Sequence, residues 1–135
     1  MIVGERILEV SGSRLADANI KGLGINISLD SVEVAQDGNL EMTYVYIANY
    51  QEKVGELKIK GVLIAQEEEK LKKSIVDSWK KDKKLPEGYA ETMLSAINYS
   101  GSANGTLVAR VLGLTAPLIP PRIQLSKPAA PAAKK

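Results

Sequence analysis

The feature that most constrains the fold is a long alternation of apolar and polar residues between about residues 22 and 66. A period of two is typical of a half-buried β-strand, because successive side chains point to opposite faces of a sheet. The first apolar positions are odd-numbered: Leu23, Ile25, Ile27 and Leu29. The apolar residues then move to even positions at Val32 and Val34. Such a slip turns the apolar set to the other face unless the strand bends, so a bulge is predicted at Asp30-Ser31.

Turn signals divide this stretch into strands. Asp37-Gly38 is a strong hairpin signal, because both residue types tolerate positive φ. Together with the polar connection near residue 52, it predicts three antiparallel strands, at about 22–35, 39–50 and 54–66. A second change of phase is predicted after Gly61, where three apolar residues run together.

The first twenty residues carry a weaker signal. Ile7, Leu8, Val10 and Leu15 suit either a strand or a short helix. We favour a strand that is interrupted at residues 11–13, where Ser-Gly-Ser offers little to pack.

The pattern changes to helical spacing at about residue 67. A helix is predicted over residues 67–83, with an apolar face formed by Leu71, Ile75, Val76 and Trp79. A second helix begins after Pro86 and is predicted to span residues 87–113. Residues 100–105 are small and include two glycines, so this helix either breaks there or continues with a face that another element approaches closely. We favour the continuous helix.

The end of the chain has a different character. Residues 114–125 contain three prolines and five apolar residues, which predicts an extended segment that packs on the core or on a partner. Residues 127–135 are limited to a few residue types and predict a flexible Pro/Ala/Lys tail. The expected organisation is a single α+β domain over residues 1–126, followed by this tail.

Composition excludes much chemistry. The chain has no Cys and no His, which removes the usual zinc and copper ligands, disulfides, and the Ser–His and Cys–His nucleophilic pairs. We therefore predict a protein that is not an enzyme and that needs no cofactor or metal. The start of the sequence has no signal-peptide pattern and no apolar run reaches membrane-spanning length, so a cytoplasmic location without membrane insertion is expected.

The strand centres are apolar on both faces. Met42, Tyr44 and Tyr46 lie on one face, and Val45 and Ile47 on the other. Because a single layer of helices covers only one face of a sheet, the other face is expected to meet another subunit or a ligand. This predicts a homo-oligomer, a dimer or tetramer, that offers apolar grooves to polypeptide. The candidate peptide-binding residues are Met42, Tyr44, Tyr46, Trp79, Leu114, Leu118 and Ile119.

Basic residues support an alternative. The net charge is +2, and four basic residues but no acidic one follow Leu114. Together with a cluster at the end of the first helix, they favour a ribosome- or RNA-associated structural protein that contacts phosphates. The candidate nucleic-acid residues are Lys80, Lys81, Lys83, Lys84, Lys134 and Lys135. A purely structural subunit of a larger assembly is a third possibility.

The order of elements resembles the SecB family of export chaperones and SecB-like proteins. The resemblance is carried by the strand run over residues 25–65, by the helix end Leu-Val-Ala-Arg-Val-Leu-Gly at 107–113, and by Leu-Thr-Ala-Pro-Leu-Ile-Pro-Pro at 114–121. It covers most of residues 1–125. It implies an α+β fold with a creased antiparallel meander followed by two helices, assembly as dimers of dimers, and ATP-independent holding of unfolded polypeptide in apolar grooves. The basic tail and the absence of Phe depart from that family.

Overall fold

The part of the chain that the structure describes folds into one antiparallel sheet followed by two helices. The computed structural model describes residues 1–17, 19–20 and 22–117. Within these residues the strands are β1 (Ile2–Arg14), β2 (Leu23–Val34), β3 (Leu40–Tyr50) and β4 (Gly55–Ala65), and their spatial order is β1-β4-β3-β2. The helices α1 (Glu69–Asp82) and α2 (Glu87–Leu112) follow. This arrangement confirms the predicted α+β class.

The crease in β2 lies where the alternation slips. The pairing of β2 with β3 shifts register between Leu29 and Ser31, which leaves Asp30 as the extra residue of a bulge. The hairpin that follows closes through Gly38, whose φ of 87° is accessible to glycine at little cost. Both features were predicted correctly because each depends on a few neighbouring residues.

The predicted interruption of β1 at residues 11–13 is wrong. The strand continues through them and pairs with β4 from Ser11–Lys58 to Arg14–Gly55. Gly12 lies under α2, where a Cβ would come within 3.0 Å of the side chains of Val108, Leu112 and Leu57. The small residues therefore let the helix approach the strand, and the register shifts of β1 occur earlier, near Ile2 and Ile7.

The second predicted change of phase, after Gly61, is also wrong. The register between β3 and β4 is continuous from Leu40–Ala65 to Tyr50–Gly55. The irregularity opposite Gly61 belongs to β1, whose pairing shifts between Ile7 and Glu9. Because β4 keeps its phase, Val62 lies on the face away from α2 while Gly61 and Leu63 stay on the face toward it.

Helix α2 is continuous over its 26 residues, as favoured from the sequence. Its buried positions include Gly101 and Gly105, and the chain returns beneath the second of these at Pro117. Hydrogen bonds also connect this helix to β1 near both ends of the strand. Ser100 donates to Glu5 at 2.7 Å, and Nη1 of Arg14 donates to the carbonyl of Gly113 at 2.6 Å. The core thus lies between α2 and the sheet.

Among the residues that the structure describes, no helix is both long enough and apolar enough to cross a bilayer.

Candidate functional site

Three of the predicted peptide-binding residues lie in the core. Met42, Tyr44 and Tyr46 have no exposed surface, because α2 covers this face of the sheet. Tyr44 donates its hydroxyl hydrogen to Glu5 at 2.6 Å, and the hydroxyl of Tyr46 lies 3.4 Å from that of Ser102. Their role in peptide binding stays a prediction, and contact with a peptide would require α2 to move.

Burial changes the acidity of these tyrosines. Loss of solvent raises the pKa of Tyr44, and its hydrogen bond to the Glu5 carboxylate raises that pKa further. Burial also raises the pKa of Tyr46, which the hydrogen bond with Ser102 partly offsets. The phenols are therefore neutral hydrogen-bonding groups that fix the helix on the sheet.

The predicted residues at the end of the chain divide into two groups. Leu114 is buried against Gly55 and belongs to the core. Leu118 and Ile119, together with Lys134 and Lys135, lie outside the described residues. The described structure therefore places no part of the extended segment beyond Pro117.

Trp79 is the predicted site residue that lines a cavity. Trp79 lies on α1, is 9% exposed, and lines a space of about 300 Å³ between β2, α1 and the start of α2. The residues around this space are mainly apolar: Leu29, Trp79, Lys83, Lys84, Leu85, Ala90 and Leu94. We call it the Leu94 cavity.

Two further cavities continue along α1 and β2. One, of about 510 Å³, shares Trp79 and Lys83 with the Leu94 cavity. The next, of about 320 Å³, shares Val34 and Val76 with the middle one. The three cavities thus lie side by side along residues 29–34, and we call them together the β2–α1 groove.

Local structure explains why the groove exists. β2 is an edge strand within the described sheet, so the backbone groups on its outer side have no strand partner there. Helix α1 ends when Lys83 adopts a left-handed conformation, and its N–H bonds to the carbonyl of Trp79. Ser78 then donates to the carbonyl of Lys84 at 2.7 Å, which fixes the connection to α2 at the mouth of the Leu94 cavity.

Three of the six lysines predicted for nucleic acid lie along the same groove. Lys80, Lys83 and Lys84 line it, whereas Lys81 does not. The Lys83 ammonium lies 5.4 Å from the centroid of the Trp79 ring, within the range of a cation–π contact. Residues assigned to two rival functions thus form one surface, which at the Leu94 cavity combines an apolar lining with Lys83 and Lys84.

Sequence reasoning missed several lining residues. Leu29 was assigned to a strand face, while Leu85 and Leu94 were not singled out, and the three come from separate segments. It also missed Lys72, which is buried and donates to the carbonyl of Gly38 at 2.7 Å and to Glu69 at 2.8 Å. The helical spacing gave no signal for the contact of Lys72 with Gly38, because Gly38 lies in a distant hairpin.

A second apolar surface lies at the other edge of the sheet. β1 exposes Ile7, Leu8 and Val10, and the side of α2 near it exposes Leu107 and Val111. Glu5 contacts Ser100, and Gly12 lies under Val108. Residues 5–12 of β1 therefore run beside residues 100–108 of α2. We call these five residues the β1-edge surface.

Comparison with known proteins gives a likeness of fold. No protein-family model matches the chain, and no curated protein matches it. Among solved structures, it is similar to the Mycobacterium tuberculosis Rv1957 SecB-like chaperone in complex with a ChAD peptide from the Rv1956 HigA1 antitoxin. The identity is 12%, the TM-score is 0.50, and the match covers 96% of this chain and 92% of that one. The resemblance predicted from the sequence is confirmed at the level of the fold.

Proposed function

We propose that the protein is a non-enzymatic chaperone or peptide-binding protein that holds polypeptide segments in the β2–α1 groove without nucleotide. The observation that carries this proposal is the Leu94 cavity, an apolar space beside the edge of β2, which has no strand partner within the described residues. The solved SecB-like chaperone of similar fold was captured with a peptide from an antitoxin, which supports a polypeptide ligand.

The edge of β2 suits an extended ligand. A peptide that lies along residues 29–34 would hydrogen-bond to the outer backbone groups of the strand, as in other cases of strand addition. Six residues at about 3.3 Å each span about 20 Å, so a short segment is enough to run the length of the groove. Alternate side chains of the peptide would then point toward α1.

The affinity comes from apolar burial in the Leu94 cavity. Full burial of a large apolar side chain contributes about 1.5–3 kcal/mol and is not directional, so many sequences can satisfy it. Such tolerance is what a holding chaperone requires. Strand pairing adds affinity that does not depend on the peptide sequence.

A pair of leucine variants tests the site. Leu94 and Leu71 are both partly exposed, at 45% and 37%, but Leu71 does not line the groove. We expect Leu94→Ser to weaken binding of an unfolded client about tenfold, because it removes part of the cavity wall. Leu71→Ser should bind as the unaltered protein does.

The measurement is suppression of client aggregation without nucleotide, with peptide affinity measured by fluorescence anisotropy. Circular dichroism checks that both variants are folded. If both variants lose the same binding affinity, or if neither loses any, the groove is not the binding site.

We also propose that the protein forms homo-oligomers through the β1-edge surface. An exposed edge strand that carries apolar side chains favours pairing with another chain. Light scattering at micromolar concentration should give a multiple of 14.6 kDa, and a particle of that single mass would contradict the proposal. Nothing observed favours the RNA- or ribosome-associated alternative.

A further inference from the structure

We propose that the β2–α1 groove selects segments in which a carboxylate lies next to a large apolar side chain. The apolar side chain would occupy the Leu94 cavity, and the carboxylate would pair with Lys83 and Lys84 at its mouth. This inference rests on the proposed function and adds a chemical preference to it.

The charges of the Leu94 cavity have one sign. Its lining includes Lys83 and Lys84 and no acidic residue, while its other walls are apolar. A space of about 300 Å³ is at the low end of the range for ligand pockets, so it suits one large side chain. The neighbouring residue of such a ligand would lie at the basic rim.

The lysines near the Leu94 cavity differ from Lys72 in their ion pairing. Within the described residues, no ion pair involves Lys80, Lys83 or Lys84, whereas Lys72 is paired with Glu69 at 2.8 Å. The Lys83 ammonium is held 5.4 Å from the Trp79 ring centroid, so the charge stands at the cavity wall. A charge beside apolar surface is less screened than one in open water, which strengthens its attraction for a carboxylate.

The middle of the groove carries charges of both signs. There Asp30 and Glu33 lie on β2 and share a cavity with Lys80 and Lys83. A second acid placed farther along the peptide would meet these carboxylates. The preference is therefore for one acid beside the anchoring residue, and not for acidic segments in general.

Three labelled peptides test the inference. They share one apolar anchor and differ in the residue next to it, which is Glu, Gln or Lys. Because a single exposed ion pair contributes about 0.2–1 kcal/mol, we expect the Glu peptide to bind about two- to fivefold more tightly than the Gln peptide. The Lys peptide should bind more weakly than both. Added salt should remove the Glu preference and leave the Gln peptide nearly unchanged.

Charge reversal locates the effect. The double variant Lys83→Glu/Lys84→Glu should reverse the order of the Glu and Lys peptides. The control Lys70→Glu/Lys81→Glu makes the same change in net charge on the adjoining helix α1, at residues that do not line the groove. It should keep the original order.

Each outcome decides one part of the account. Equal affinity for the three peptides would overturn the preference and leave the proposed function standing. Loss of the preference in the control to the same extent would also overturn it, because net charge alone would then explain it. If the neutral Gln peptide does not bind at any salt concentration, the proposed function itself fails.

Discussion

Gly101 of α2 lies directly against the ring of Tyr46 in β3. A Cβ at Gly101 would come within 2.6 Å of three atoms of that ring, which is closer than real Cβ contacts allow. This contact lets a 26-residue helix rest on a sheet face that carries large tyrosines. The Tyr46 ring is therefore buried between α2 and the sheet.

The first prediction concerns this close approach. We expect Gly101→Ala to lower the free energy of unfolding by about 1–3 kcal/mol, because overpacking outweighs the better helix propensity of Ala. Gly88 is the control, since a Cβ there meets nothing within 4 Å. Gly88→Ala should leave stability unchanged or raise it by up to about 1 kcal/mol. Urea denaturation measures both, and a Gly101→Ala protein of unaltered stability would contradict the packing.

The second prediction concerns alkaline pH. Burial and the Glu5 carboxylate raise the pKa of Tyr44 above its usual value of 10.0. Above pH 10 the unfolded chain therefore loses a proton that the folded protein retains, so stability falls as pH rises. Each such group contributes up to about 1.4 kcal/mol per pH unit in that range.

Tyr44→Phe isolates this contribution. The variant should be less stable at pH 7, because the hydrogen bond to Glu5 is lost. Its stability should then fall less steeply between pH 10 and 11 than that of the unaltered protein, so the two curves should converge. Parallel curves from denaturation at a series of pH values would show that Tyr44 is not the titrating group.

The third prediction concerns the end of the chain, which lies outside the described residues. Because residues 127–135 contain almost no core-forming side chain, their deletion should change stability by less than about 0.5 kcal/mol.

The double change Leu118→Ser/Ile119→Ser should weaken client binding if these residues contact the client. Thermal melts and circular dichroism accompany both experiments, and unfolding on removal of the tail would contradict the proposed domain boundary at residue 126.

Local patterns predicted the parts of the fold that depend on local structure. The bulge at Asp30, the hairpin at Gly38 and the switch from strand to helix each follow from a few adjacent residues. The continuity of β1 could not be predicted from local sequence. Gly12 makes room for Val108 and Leu112, which belong to a helix almost a hundred residues away.

The same reason limits prediction of the site. Alternation identified Met42 and Tyr44 as large side chains on one face, but only tertiary packing determines that α2 covers this face. Trp79 was identified from its place on the apolar face of the first predicted helix and from the resemblance to the SecB family. Its neighbours Leu29 and Leu94 belong to separate segments, and nothing in their local sequence relates them to Trp79.

The most direct test of the central claim uses the fluorescence of Trp79, which is the only tryptophan in the chain and lines the proposed groove. Titration with a peptide that lacks tryptophan should change its emission saturably, with the same Kd as that from anisotropy, and Leu94→Ser should shift both curves to about tenfold higher concentration. A peptide that binds by anisotropy without changing Trp79 emission, and with equal affinity for Leu94→Ser, would place the binding site elsewhere.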